Sequence, residues 1–292
     1  MGTTGLASGA TGKLAGRKTA VARGRNRCRF CAIAPAYFRV REDVPPAAPC
    51  PARSQELQHD CEQEKELTAE LQMPAPALLA EDTDLFYLLR EFETASRHAP
   101  TGGSAPIRAH MRIVRERLSK SVKVNPAPRH LPPETLPVTG HLGRALDNGE
   151  REPTEVFVRT AAKFAPRMRW EYGYRNVRPT LARKYGYADI LGPAGFIETA
   201  DLVLGFVLFA PGCVYPSHRH DGITESYIVL SGAVSENDLG VFRPPSMIFN
   251  AAGTTHTIRT STNEPALLAY AWTGTPEAIA GHTMKFTRAR KK

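Results

Sequence analysis

Apolar residues recur at helical intervals through one stretch of the chain and in short runs through the next, with the change falling near Arg178-Pro179. Leu85, Leu88, Leu89 and Phe92 repeat at spacings of three and four behind Asp82 and Thr83, two residues suited to capping, and Ile107, Met111, Val114 and Leu118 repeat the pattern. These stripes predict two amphipathic helices. Further helices are expected over 138–146 and 154–164, the second opened by Pro153-Thr154 and closed before Pro166. Beyond residue 180, β-branched and aromatic runs are cut about every eight to twelve residues by Gly, Pro, Asn or Asp, giving candidate strands at 202–209, 226–230, 240–242, 247–249, 255–259 and 267–272. Short strands at this spacing read as a sandwich or barrel. The expected fold class is α+β, a helical region packed on a C-terminal β-barrel.

Residues 1–75 carry neither period. Pro45-Pro46, Pro49 and Pro51 break the middle, and the Gln/Glu-rich stretch 54–72 supports a short helix at most. The expected division is a disordered basic leader and linker over 1–75, a helical region over 76–180 and the barrel over 181–292. Of the formal charge of +9, eight positive charges sit in the first forty residues, from Lys13 to Arg39, with no acidic residue among them. The remainder is nearly neutral, so the basic balance belongs to the leader and no specific nucleic-acid partner is expected. The leader lacks the apolar core of a secretory signal, and its Arg-rich, acid-free composition is loosely that of an organelle transit peptide. The compartment therefore stays open between cytoplasm, periplasm and organelle. No apolar run reaches the roughly twenty residues of a membrane helix. Of the five cysteines, Cys28 and Cys31 have half the spacing of a zinc ribbon without the other half, and no role is assigned to them.

The candidate chemistry lies in His218-Arg219-His220-Asp221-Gly222-Ile223-Thr224-Glu225-Ser226-Tyr227, answered by His256. Side chains two apart on a strand share a face, so His218 pairs with His220 and Glu225 with Tyr227, while Asp221-Gly222 has the composition of a turn. Three imidazoles and a carboxylate suit one divalent transition metal. Zn²⁺ is the first choice, and Fe²⁺, Mn²⁺, Ni²⁺ and Co²⁺ are also compatible with the ligand types. Tyr227 would face the same cavity, where a nearby cation favours phenolate and makes it a candidate general base.

The pattern Gly212, five residues, His218-x-His220, four residues, Glu225, six residues, Gly232 resembles the first metal-binding motif of the cupin superfamily, and Gly253-Thr254-Thr255-His256 resembles the second, with Ala251 and Thr260 where proline and asparagine are usual. The resemblance implies a double-stranded β-helix (jelly-roll) barrel. The wider set Trp170-Glu171-Tyr172-Gly173-Tyr174, 184–193, Leu208-Phe209-Ala210-Pro211, Tyr215-Pro216-Ser217-His218, Glu225-Ser226-Tyr227, Ser235-Glu236-Asn237 and Leu268-Ala269-Tyr270-Ala271-Trp272 is similar to the cupin-type dimethylsulfoniopropionate (DMSP) lyases, most of all to the DddY type. The similarity spans roughly 135–287. It implies β-elimination of DMSP to dimethyl sulfide and acrylate, with the metal held by His218, His220, Glu225 and His256 and with Tyr227 as base. The sulfonium end of such a substrate is a soft cation best held by aromatic faces, and Tyr215, Tyr270, Trp272, Tyr172, Tyr185 and Tyr187 are the candidates. The same ligand set would serve another metal-dependent cupin enzyme, a dioxygenase or isomerase acting on a small carboxylic acid. A homo-oligomer is compatible with all of this.

Overall fold

A computed structural model describes residues 78–98, 103–173, 176–281 and 285–286. The leader and linker over 1–75, the Cys28 and Cys31 pair and Tyr174 lie outside the described residues.

The first stripe forms α1 (Thr83–His98), which buries Leu85, Leu88, Leu89 and Phe92. Its cap is Asp82. Oδ1 accepts the Leu85 N–H at 3.2 Å, and the two carboxylate oxygens take both ends of the Arg167 guanidinium at 2.7 and 2.6 Å. That fork geometry ties the start of α1 to the 3₁₀ turn Ala165–Arg167, far along the chain. The second stripe forms α2 (Ala105–Lys123), with Met111, Val114 and Leu118 buried. Ile107, however, is only half-buried, and the inward place in that part of the helix belongs to His110.

The helix expected over 138–146 is a 3₁₀ turn, Pro137–His141, running into α3 (Leu142–Gly149). Pro137 presets the turn, and Gly140 lowers helix propensity where the tighter winding occurs. α4 (Glu155–Phe164) begins one residue later than expected because Thr154 stands outside it, donating its hydroxyl to the Leu230 carbonyl at 2.7 Å. α5 (Pro179–Ala182) is a single turn leading into the strands.

The strands are β1 (Tyr185–Leu191), β2 (Leu202–Phe209), β3 (Val214–Arg219), β4 (Ile223–Ser231), β5 (Val234–Glu236), β6 (Val241–Phe242), β7 (Met247–Asn250), β8 (His256–Thr260), β9 (Ala266–Gly274) and, after α6 (Pro276–Ala280), β10 (Lys285–Phe286). They form two antiparallel five-stranded sheets, ordered β1-β2-β9-β4-β7 and β10-β3-β8-β5-β6. This is the α+β barrel architecture expected, with helices in the N-terminal part and the sheets in the C-terminal part.

All eight residues of β2 are buried. Leu202, Leu204, Phe206 and Leu208 join Leu88, Phe92, Met111 and Phe157 in a core shared with the helices. Val203, Val207 and Phe209 point the other way, into the barrel with Tyr185, Tyr215, Tyr227 and Tyr270. An antiparallel sheet usually wets one face and alternates; this one is covered on both, which is why Leu202–Phe209 reads as an unbroken apolar run. Among the described residues no helix is long and apolar enough to cross a membrane.

Candidate active site

Two strands and one turn bring the histidines together. His218 on β3 lies directly across from His256 on β8, with ring centroids 4.1 Å apart. His220 follows just beyond the end of β3, before Asp221-Gly222 carries the chain to the other sheet. Gly222 sits there at φ +73°, a conformation natural to glycine. The ligand nitrogens of His218, His220 and His256 all lie within 4.8 Å of one another, and all three side chains are buried. Glu225 enters from β4: Oε2 is 2.9 Å from His256 Nε2, and Oε1 is 3.5 Å from His220 Nε2.

The protonation pattern suits a metal. Nδ1 of His218 is 2.8 Å from the Pro216 carbonyl, and Nδ1 of His256 is 3.2 Å from the Thr254 carbonyl. A carbonyl only accepts, so in both rings Nδ1 donates and Nε2 is the nitrogen turned toward the shared space. Burial, helped by the neighbouring His256, pushes the His218 pKa down to about 3, so this ring is neutral and able to ligate. At Glu225 burial works against the charged form, but hydrogen bonds from His220 and His256 override it and hold the carboxyl well below its ordinary range. At His256 burial is likewise outweighed, by the Glu225 carboxylate, and its pKa is raised. A buried carboxylate among imidazoles calls for a compensating positive charge, which a divalent ion would supply. The residues present fit such an ion.

Around Glu225 stands a second ring of donors. Tyr227 donates its hydroxyl to Oε1 at 2.6 Å, Trp272 its indole N–H to the same oxygen at 2.7 Å, and Asn250 its Nδ2 to Oε2 at 3.3 Å. Asn250 also donates to Glu236 Oε1 at 2.8 Å, so it joins two buried carboxylates. Burial and the Glu225 charge together raise the Tyr227 pKa well above that of a free phenol.

Tyr185, Tyr187, Tyr215, Tyr227, Tyr270 and Trp272 line one cavity with His218 and His220, a narrow space of about 30 Å³ that is partly open to solvent. Tyr215 reaches it through an irregularity. Between Tyr215 and His218 the β3–β8 register shifts, so two residues three apart both face inward, and Pro216, which has no N–H to donate, occupies the shift. Tyr172 is the expected aromatic that stays outside: it packs on Tyr185 at 5.7 Å and donates its hydroxyl to the Ala182 carbonyl at 2.6 Å.

Four residues near the site went unassigned from sequence. Asn250 and Glu236 are described above. Asp189 on β1 accepts the hydroxyl of Tyr270. His110, on α2, reaches the back of the site, its Nε2 3.0 Å from the Ser226 hydroxyl and its Nδ1 3.2 Å from that of Thr273. The usable signals were a lone acid inside the apolar run 185–191 and a histidine within an otherwise apolar helical stripe.

A two-sheet antiparallel barrel holding three converging imidazoles is the framework of a cupin-type enzyme. The model of the DMSP lyase family matches residues 110–268, starting at His110 and ending inside β9. A curated relative from Cereibacter sphaeroides (strain ATCC 17023), assigned as dimethylsulfoniopropionate lyase DddL, is 51% identical over 208 residues, covering 71% of this chain and 90% of its own. A chain from the crystal structures of the DMSP lyases RdDddP and RnDddQII shares the fold, with a TM-score of 0.51 and 21% identity over 71% of this chain and 99% of that one. The chain belongs to the DMSP lyase family, a family of carbon–sulfur lyases. The curated relative is of the DddL type, and none of these similarities singles out the DddY type to which the motifs were likened.

Proposed function

We propose that this protein cleaves DMSP to dimethyl sulfide and acrylate by a metal-assisted β-elimination in which Tyr227 removes the proton. The observation that carries the reading is the common cavity, in a chain of this family, of His218, His220, Tyr227 and an aromatic wall. A divalent ion held by His218, His220 and His256, with Glu225 beside or on it, would act as Lewis acid toward the substrate carboxylate and would offset the negative charge that keeps Tyr227 protonated. Zn²⁺ is the ion the nitrogen-rich donor set favours.

Tyr227 is placed to hold or take a proton at its hydroxyl oxygen, which the 2.6 Å hydrogen bond to Glu225 Oε1 fixes in the cavity. As the C–H bond next to the substrate carboxylate breaks, its electron pair becomes the new C=C bond. The C–S bond then releases its pair to sulfur, and the cationic sulfonium leaves as neutral dimethyl sulfide, with no acid needed. Tyr270 and Trp272, with ring centroids 5.4 Å apart, supply faces for that cation. The burial of the whole group limits water around the developing charge.

The test is direct. Purified protein loaded with Zn²⁺, and in parallel with Fe²⁺ or Mn²⁺, is given DMSP; dimethyl sulfide is measured in the headspace and acrylate by NMR. Equimolar products that vanish on chelation and return with metal are expected. Product formation unaffected by complete metal removal would overturn the metal's role, and absence of both products with every ion would overturn the reaction.

A further inference from the structure

Gly205 on β2 stands between Asp189 on β1 and Tyr270 on β9, paired with each in register. A Cβ at this glycine would lie 2.3 Å from the Ala188 carbonyl oxygen and 2.7 Å from the Tyr270 hydroxyl oxygen. The missing side chain is therefore what allows the Tyr270 ring to lie across β2 and donate to the Asp189 carboxylate two strands away. Tyr270 is a cavity residue, separated from the imidazoles by one ring: Trp272 lies 5.4 Å from Tyr270 and 4.9 Å from His220, centroid to centroid.

Asp189 thus places a carboxylate directly behind an aromatic wall, on the side away from the cluster that would hold the cation. Few charges surround it. Tyr187, from the same strand, lines the cavity, and burial followed by the Asp189 and Glu171 charges raises its pKa above the ordinary phenol value. Glu171 approaches from the loop paired with Tyr187, its charge met by Arg169 Nε at 2.5 Å. None of the described ion pairs within 4.0 Å involves Asp189.

We propose that Asp189 is a positioning and specificity-determining residue: through Tyr270 it gives one wall of the cavity negative character, and so selects substrates that carry a cation as well as a carboxylate. The inference rests on the lyase reading only for the identity of that cation. A phenol that donates to a carboxylate has a more electron-rich ring, which strengthens its hold on a cation at its face, and the Asp189 charge adds a longer-ranged attraction. Along the cavity lining His220, Trp272 and Tyr270 follow one another, so the groups stand in the order that a zwitterion requires, carboxylate at the metal cluster and then sulfonium at the aromatic pair. The carboxyl of Asp189 is raised to about 7, by burial first and the Glu171 charge after it, against the lowering effect of the Tyr270 bond. Its charge is accordingly present above that pH and lost below it, while Tyr270, raised well above the ordinary phenol value, stays protonated throughout.

The experiment separates charge from shape. In the metal-loaded full chain, Asp189→Asn is expected to raise the KM for DMSP about tenfold while kcat changes far less. The inhibition constant of 4-methylpentanoate, which has the substrate's outline without its positive charge, should stay within about twofold. Tyr270→Phe should show the same selectivity, and the double variant should be little worse than either single one, as coupled residues require. In the wild type the KM for DMSP should fall as pH rises through about 7, and in Asp189→Asn this limb should be absent. Equal weakening of DMSP and 4-methylpentanoate would mark Asp189 as merely structural and overturn the inference, as would an unchanged KM. Calorimetry with trimethylammonioacetate and its uncharged counterpart 3,3-dimethylbutanoate reads the same selectivity without turnover. Asp189-dependent preference for the cationic acid in a protein that releases no dimethyl sulfide would uphold this inference while the lyase reading falls.

Discussion

Glu225 and Trp272 face each other across the β4–β9 pair, and the indole N–H of Trp272 donates to the carboxylate at 2.7 Å. The aromatic wall and the ligand cluster are therefore one bonded unit, and a residue chosen from sequence for its face also holds a carboxylate by its edge. Trp272→Phe keeps a ring in the wall but removes the donor. The expected result is a loss of metal affinity of about tenfold, at the lower end of the range for residues that orient ligands, measured by competition with a chromophoric chelator. Unchanged affinity would mean that Tyr227 and Asn250 suffice to hold Glu225.

Tyr227→Phe removes the base and leaves its ring in place. A fall in kcat of about 10²–10⁴ is expected with metal supplied at saturation, where elemental analysis still finds the site full. If metal were lost along with turnover, Tyr227 would be acting through Glu225 instead of on the substrate.

Gly205→Ala puts a methyl group where backbone at Ala188 and the Tyr270 ring already stand. Because the carbonyl cannot swing aside as a side chain could, the variant should be destabilised by about 1–3 kcal/mol in urea unfolding and should lose the Tyr270–Asp189 bond. Its kinetic signature should follow that of Tyr270→Phe, with weakened DMSP and a less affected neutral analogue.

His110 is neutral at physiological pH, since burial lowers its pKa from 6.5 to about 4 against the raising effect of Glu225. In the unfolded chain the same ring takes up a proton as pH falls below about 6.5, whereas in the folded chain it does so only near 4. Stability is complete above about 6.5 and declines from there toward 4. Metal-free protein should show a melting temperature that drops over this interval, and His110→Gln should flatten part of the drop. The part that remains is expected from His218, whose pKa is displaced in the same direction.

How much of this could be read beforehand differed by element. The stripe Leu85, Leu88, Leu89, Phe92 folded as its spacing demanded, and the turn at Asp221-Gly222 did bring two residue pairs into one chamber, because both rest on local periodicity. The inward face of Tyr215 was not readable, since a register shift at Pro216 changes side-chain parity and nothing in composition announces it. His110 fits a helical stripe but is explained only by Ser226 and Thr273, 116 and 163 residues distant. Asp189 is an acid in an apolar strand, but its partner is defined only where β1, β2 and β9 lie side by side. Tyr172 had the right residue type in the right neighbourhood, but its hydroxyl is spent on the Ala182 carbonyl. Pairings fixed by tertiary register, not by local pattern, account for each of these gaps.

The double burial of β2 has an outcome for anyone wishing to trim this protein. Stripping the helices from the barrel would uncover Leu202, Leu204, Phe206 and Leu208 as a contiguous oily strip, each giving up about 1.5–3 kcal/mol of burial. A minimal barrel made that way would sooner stick to its own copies than stay dispersed, so the helical layer is as much a part of a working catalyst as the residues that touch substrate.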